Sequence, residues 1–336
     1  MEKNFSVDRI VGNAPIQEKG RIILEQREIF DSQEFSELVD LERDKTAEEI
    51  RVIEEIDGEL NADRQARDLP VLHILPKNIH IIPQDKWPNQ GNNVNTDGLF
   101  DPKFECIMLK ENWLSPIGFH HRMYHEMRHM QSFVTLQVDV IPLVEEERRN
   151  PITTHRLSLE YHRIGLMICE RIIHRNFNTR SYFTEINEGL VEELAMRNTL
   201  LHVHDPVHAK EQETTRQALI YLEQHADEFN NILNRIEDIF YLEEYEIASQ
   251  KNLRGHVFTY QNERLIFNTI IDKLYETNTE KFENREEVFQ FFVDVADSES
   301  MLPLGRLIEE TFGKGAFRRI GREEPIGQKL AFVNSL

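Results

Sequence analysis

The spacing of apolar residues changes twice along the chain. Up to about residue 70 the pattern is charged and mostly helical, with Thr46-Ala-Glu-Glu49 forming a capping-box sequence ahead of IRVIEEIDGEL. That signature predicts a helix from Thr46 to about Leu69, stopped by Pro70. The next stretch, VLHILPKNIHIIPQ, is β-rich, and KWPNQGNNVNTDG reads as a polar loop of turn residues. FECIMLK, Phe104 to Lys110, then predicts a strand. Ser115-Pro116 supplies an N-cap residue with proline at the first helical position.

From about Thr154 the spacing reads as helical almost to the end. Leu219, Leu222, Phe229, Leu233, Ile236 and Phe240 recur at three, four or seven and predict one long amphipathic helix. ERLIFNTIIDKL and NREEVFQFFVDVA repeat the signal, and Gly313 is placed to stop the helix containing IEETF. The tail from Arg318 has no clear period. The expected class is α+β, a small sheet within a helical majority. The expected divisions are a helical acidic segment at 1–70, a mixed domain at 71–208, a helical subdomain at 209–318 and a tail at 319–336.

Charge narrows the partners. Among 336 residues, 60 are acidic and 39 basic, a formal charge of −21. Such a surface repels phosphate backbones, so no nucleic-acid partner is expected. Cys106 and Cys169 sit in the apolar stretches FECIML and GLMICERII, which predicts buried free thiols in a reducing compartment. The start lacks an apolar signal core and no apolar run is long enough for a bilayer, so the expectation is a cytoplasmic protein without a membrane partner.

The candidate chemistry lies in Ser115 to Phe133, SPIGFHHRMYHEMRHMQSF. His125-Glu126-Met127-Arg128-His129 fits H-E-x-x-H. On a helix, residues four apart lie about 40° apart around the axis, so both imidazoles can grip one metal ion. Glu126 lies about 60° beyond His129, beside the ion, where a base for a bound water belongs. Catalytic zinc takes three protein ligands and keeps one position open. The metzincin extension is excluded, because Ser132 and Thr135 stand where glycine and histidine are required. TEINEGLVEELAMR offers a glutamate instead, with Glu185, Glu188 and Glu192 sharing one face. His121, one turn before His125, is a further candidate for contact with metal or substrate. His202, His204 and His208 in LHVHDPVH look like a second metal cluster, but no helical or strand period unites them and the favoured reading is a solvated loop.

HEMRH followed by INEGLVEEL resembles the gluzincin zinc peptidases, over about residues 78–200. The resemblance implies a zincin-like catalytic domain at 71–208, a small mixed sheet with active-site helices, and Zn2+ held by His125, His129 and Glu188. It implies that Glu126 is the general base and that a downstream tyrosine or histidine stabilises the oxyanion. Tyr260, which opens YQNERLIFNTIIDKL, is the first choice for that role and His256 the substitute, although Glu263 stands where the family's Y-x-K-G has glycine. The connection is long, 58 residues between His129 and Glu188, and HRLSLEYHRIGLMICERII is expected as an added helix or two. FECIMLK is the expected sheet edge on which an extended peptide pairs. Gly189 is expected where two helices approach closely.

The function expected is a zinc-dependent metallopeptidase, a hydrolase of peptide or protein substrates. One rival is a non-catalytic or masked relative serving as a helical interaction module. A second is a di-iron carboxylate bundle, since Glu126-x-x-His129 also fits that family's E-x-x-H, but no second E-x-x-H partner occurs on another helix.

Overall fold

A computed structural model describes residues 10–11, 17, 19, 40–87, 97–101, 106–112, 115–141, 157–172, 179–229, 232, 238–247, 250–322 and 324–336. The expected helical character of 1–39 falls almost wholly outside them; what is described there includes a short strand β1 (Ile10–Val11). Helix α1 (Ala47–Ala66) starts on the capping box, with the Thr46 hydroxyl accepting from the Glu49 N–H and the Glu49 carboxylate accepting from the Thr46 N–H. It ends three residues short of Leu69, because Asp68 turns into the left-handed region with φ 57°.

Strands β2 (Ile79–Pro83), β3 (Gly98–Asp101) and β4 (Cys106–Glu111) form a mixed sheet ordered β2-β4-β3. β4 pairs parallel with β2 and antiparallel with β3. The expectation that FECIMLK is the sheet edge is therefore corrected: its described part is the central strand, bonded on both sides, and β2 and β3 flank it among the described residues. Phe104 and Glu105 lie outside the described residues.

Helix α2 (Pro116–Gln131) carries the H-E-x-x-H sequence. Ser115 Oγ caps it by accepting from Gly118 N–H at 3.2 Å, and the Glu211 carboxylate accepts from Ile117 N–H at 3.0 Å. α1, α2 and the three-stranded sheet share one core, in which Ile53, Ile56, Ile81, Ile107, Met123 and Met127 are fully buried.

The described part of the connection from α2 to the next helix is β structure, which corrects the helix or two expected over HRLSLEYHRIGLMICERII. Strands β5 (Val134–Ile141), β6 (Leu157–Ile164), β7 (Met167–Ile172) and β8 (Thr179–Tyr182) make an antiparallel meander, with β1 parallel to β5 at its edge. Leu157, Leu159 and Tyr161 alternate with polar residues at the strand period, a short signal hidden in a long helical reading. Gly165, with φ 58°, turns β6 into β7.

Helix α3 (Thr184–His202) follows, then α4 (Ala209–Gln224). The single long helix expected across 219–240 is corrected too. Leu219 and Leu222 belong to α4, but Phe240 lies in β9 (Ile239–Ile247), which pairs with β10 (Gln250–Val257) as a hairpin. Leu233 and Ile236 lie outside the described residues. Helices α5 (Gln261–Thr277), α6 (Arg285–Asp297), α7 (Leu302–Phe312), α8 (Ala316–Gly321) and α9 (Ile326–Ser335) complete the chain.

A second core gathers Leu190 of α3 with Phe267, Ile270, Phe292, Ile308 and Val333 of the later helices. The segment expected as a periodless tail is part of it. Lys329 of α9 is fully buried, and its ammonium donates to Glu185 of α3 at 2.6 Å. Gly189 permits the α3–α5 contact: a Cβ there would lie 2.5 Å from the Glu263 carbonyl oxygen. The architecture is thus a helical majority with small separate sheets, an α+β arrangement in which α2 and α3 pack side by side between two cores. Among the described residues no helix is long and apolar enough to cross a membrane.

Candidate metal centre

Helices α2 and α3 bring His125, His129 and Glu188 to one point. The Nε2 atoms of the two histidines approach to 3.1 Å, and Glu188 Oε2 lies 3.3 Å from His125 Nε2 and 3.4 Å from His129 Nε2. Ligand atoms 2.0–2.1 Å from a tetrahedral zinc ion stand about 3.3 Å apart. The residues therefore fit zinc in both chemistry and spacing, two imidazole nitrogens and one carboxylate oxygen at nearly equal separations.

The neighbouring side chains fix this triangle. Glu192, fully buried one turn beyond Glu188, accepts from His125 Nδ1 at 2.9 Å, which aims Nε2 at Glu188. Its other oxygen is 3.1 Å from His121 Nε2, and His121 Nδ1 is 2.9 Å from Thr199 Oγ1. Both nitrogens of His121 are thus occupied away from the triangle. Asn187 Nδ2 lies 3.3 Å from His129 Nδ1, and its Oδ1 accepts from Leu166 N–H at 2.9 Å. Of the three glutamates that share a face in the sequence, only Glu188 reaches both histidines: Glu185 is held by Lys329, and Glu192 stands behind His125.

Electrostatics follow from burial and these contacts. Desolvation raises the Glu188 carboxyl, but the charge of His129 and hydrogen bonds from both histidines outweigh it and hold the group far below the usual range. Glu192 is likewise held low: desolvation raises it, and the charge and hydrogen bonds of His121, with those of His125, overcome that. Desolvation opposes charge on His125, yet the bonds to Glu188 and Glu192 lift it well above the ordinary histidine value. Burial pushes Glu126 up, as expected for a carboxylate in low dielectric. The Phe100 backbone N–H of β3 is hydrogen-bonded to that carboxylate. A Cβ on Gly98 would lie 2.6 Å from Glu126 Oε1, so the bare glycine is what lets the strand pass so close.

A cavity of about 360 Å3 opens beside the triangle, lined by Arg122, His125, Glu126, Phe240, His256 and Tyr260 among others. Tyr260 stacks on His125, with ring centroids 5.3 Å apart and planes 8° from parallel. The negative charge of Glu188, with burial, raises its phenol above the ordinary range. His256, on β10, has its Nε2 3.3 Å from Glu243 Oε1. Both oxyanion candidates thus line the cavity, as does Gly98 of β3. Glu192, Asn187 and Gly98 are the members that sequence reasoning did not place in these roles. Their only local signal is spacing, Glu192 four residues after Glu188 and Asn187 immediately before it.

The loop reading of His202, His204 and His208 holds for His204 alone, which is exposed. His208 is buried against Glu211 at 2.7 Å, and His202 lies between Glu59 and Asp205. No protein-family model, curated protein or solved structure matches this chain.

Proposed function

We propose that the chain is a zinc-dependent metallopeptidase with a zincin-like catalytic unit. The observation that carries this reading is the near-equilateral triangle of His125 Nε2, His129 Nε2 and Glu188 Oε2, with Glu126 beside it in a cavity. Zinc, when bound, supplies a Lewis-acid charge that polarises a carbonyl and acidifies water. His125, His129 and Glu188 would hold it. Glu126 is the proton carrier: its carboxylate takes a proton from the attacking water and returns it to the leaving amine. Burial, which raises its pKa, suits it to both halves of that transfer. Tyr260 or His256, both of which line the cavity, donates to the developing oxyanion.

Among the described residues β3 has a strand partner on one side only, so an extended peptide could pair along its other side, where the Phe100 N–H meets Glu126 and Gly98 keeps the strand close to that carboxylate. The substrate is therefore a peptide or protein segment in extended form. The free cysteines Cys106 and Cys169 agree with a reducing, cytoplasmic setting.

The test is metal content of the purified chain beside Glu188→Ala, together with turnover of Glu126→Gln on a peptide library. Zinc at this centre that Glu188→Ala depletes, with Glu126→Gln binding metal but inactive, supports the reading. Undiminished activity in Glu126→Gln would falsify the mechanism, and two irons at the centre would replace it with a di-iron site.

A further inference from the structure

A second histidine–carboxylate group lies at the far end of α3. Glu55 and Glu59, one turn apart on α1, face His202 on the last turn of α3, and one ligand atom from each residue falls within 4.8 Å of the others. His202 Nε2 is 2.8 Å from Glu59 Oε1, while His202 Nδ1 is 2.7 Å from Asp205 Oδ2. Both ring nitrogens thus donate to carboxylates, Nδ1–H to Asp205 and Nε2–H to Glu59, and a cation that displaces the Nε2 proton would find that nitrogen already turned towards the two glutamates.

Each donor is anchored from outside the group. Glu59 Oε2 accepts from Asn198 Nδ2 at 2.8 Å, and Asn198 Oδ1 accepts in turn from the buried His120 Nε2 at 2.7 Å. Glu55 Oε2 accepts from Arg51 Nη1 at 2.9 Å. Outer partners that fix one atom of a ligand while presenting another are the usual support of a metal site. Three carboxylates, Glu55, Glu59 and Asp205, surround the histidine, and Arg51 is shared with Glu48. The local charge therefore favours a cation.

We propose that Glu55, Glu59 and His202 form a second divalent-metal site, separate from the centre at His125. One imidazole with two carboxylates suits a borderline transition ion such as zinc, whereas calcium and magnesium favour all-oxygen sets. At 1.5 Å per residue, about 21 Å of helix separates Glu188 from His202. The ion's role is to tie α1 to the end of α3. The assignment stands independently of peptidase activity.

The test uses the full chain, stripped by chelation and titrated with Zn2+ alone, with stoichiometry read by calorimetry and elemental analysis. Two ions are expected in the wild type, and one in both His202→Ala and Glu59→Gln. Glutamine retains an oxygen for Asn198, so Glu59→Gln reports on the site even where His202→Ala fails to fold. Asp205→Asn is expected to weaken the second ion about 10- to 100-fold. His129→Ala identifies the other centre: one ion kept there but lost in His202→Ala supports this site and rejects the central one. No bound ion, a single ion unaffected by His202→Ala and Glu59→Gln, or two ions that persist in both variants overturns the proposal.

Discussion

Glu192 Oε2 accepts from His125 Nδ1 at 2.9 Å, from one helical turn beyond Glu188. The contact makes one face of α3 supply both the carboxylate of the candidate metal triad and the group that orients its first histidine. Glu192→Ala is expected to lower zinc affinity at this centre about 10- to 100-fold, as loss of such an orienting partner does. Competition with a chelator of known affinity measures it. Unchanged affinity would show that packing alone holds His125.

Asp297 sits between Arg128, which it meets through two bonds of 2.9 and 2.8 Å, and Arg67 at 2.7 Å. Desolvation raises its carboxyl, but the two guanidinium groups outweigh that and leave it below the ordinary value. A folded-state pKa below the unfolded one adds stability that is complete above the unfolded value, about 3.9, and is lost as pH falls through the folded one. Asp297→Asn is expected to cost about 3–5 kcal/mol near neutrality, since it strands buried arginines. It should also reduce the fall in stability on acidification. Urea unfolding at several pH values checks both, and parallel wild-type and variant curves would contradict the assignment.

Gly98→Ala places a methyl carbon 2.6 Å from Glu126 Oε1, too close for the carboxylate to keep its present position. Displacing a proton-carrying carboxylate by about 1 Å can cost on the order of 100-fold in rate. The expected outcome is a loss of that size in kcat/KM with zinc stoichiometry unchanged. Loss of metal along with activity would mean that the strand supports the ligands rather than the base.

What could be read locally was readable. The Thr46 capping box, the Ser115 N-cap and the H-E-x-x-H helix depend on residues within one turn of each other. The meander did not announce itself, because a strand is defined by its neighbours: Leu159 is opposite Ile172 and Val138 opposite Glu160. The triangle itself drew on both kinds of information. His125 and His129 follow from spacing, but the separate roles of Glu185, Glu188 and Glu192 depend on distant partners. Lys329, 144 positions from Glu185, occupies that side chain and removes it from contention. His121 and His125 claim Glu192. No local pattern along α3 carries that information.

Tyr260 holds its ring over His125 from a left-handed backbone, φ 51° and ψ 37°. For a non-glycine residue that conformation costs about 1–2 kcal/mol. Glycine or asparagine at this position would relax the backbone and remove the ring. Fold and chemistry therefore pull position 260 in opposite directions, and selection for heat resistance alone would drift away from tyrosine.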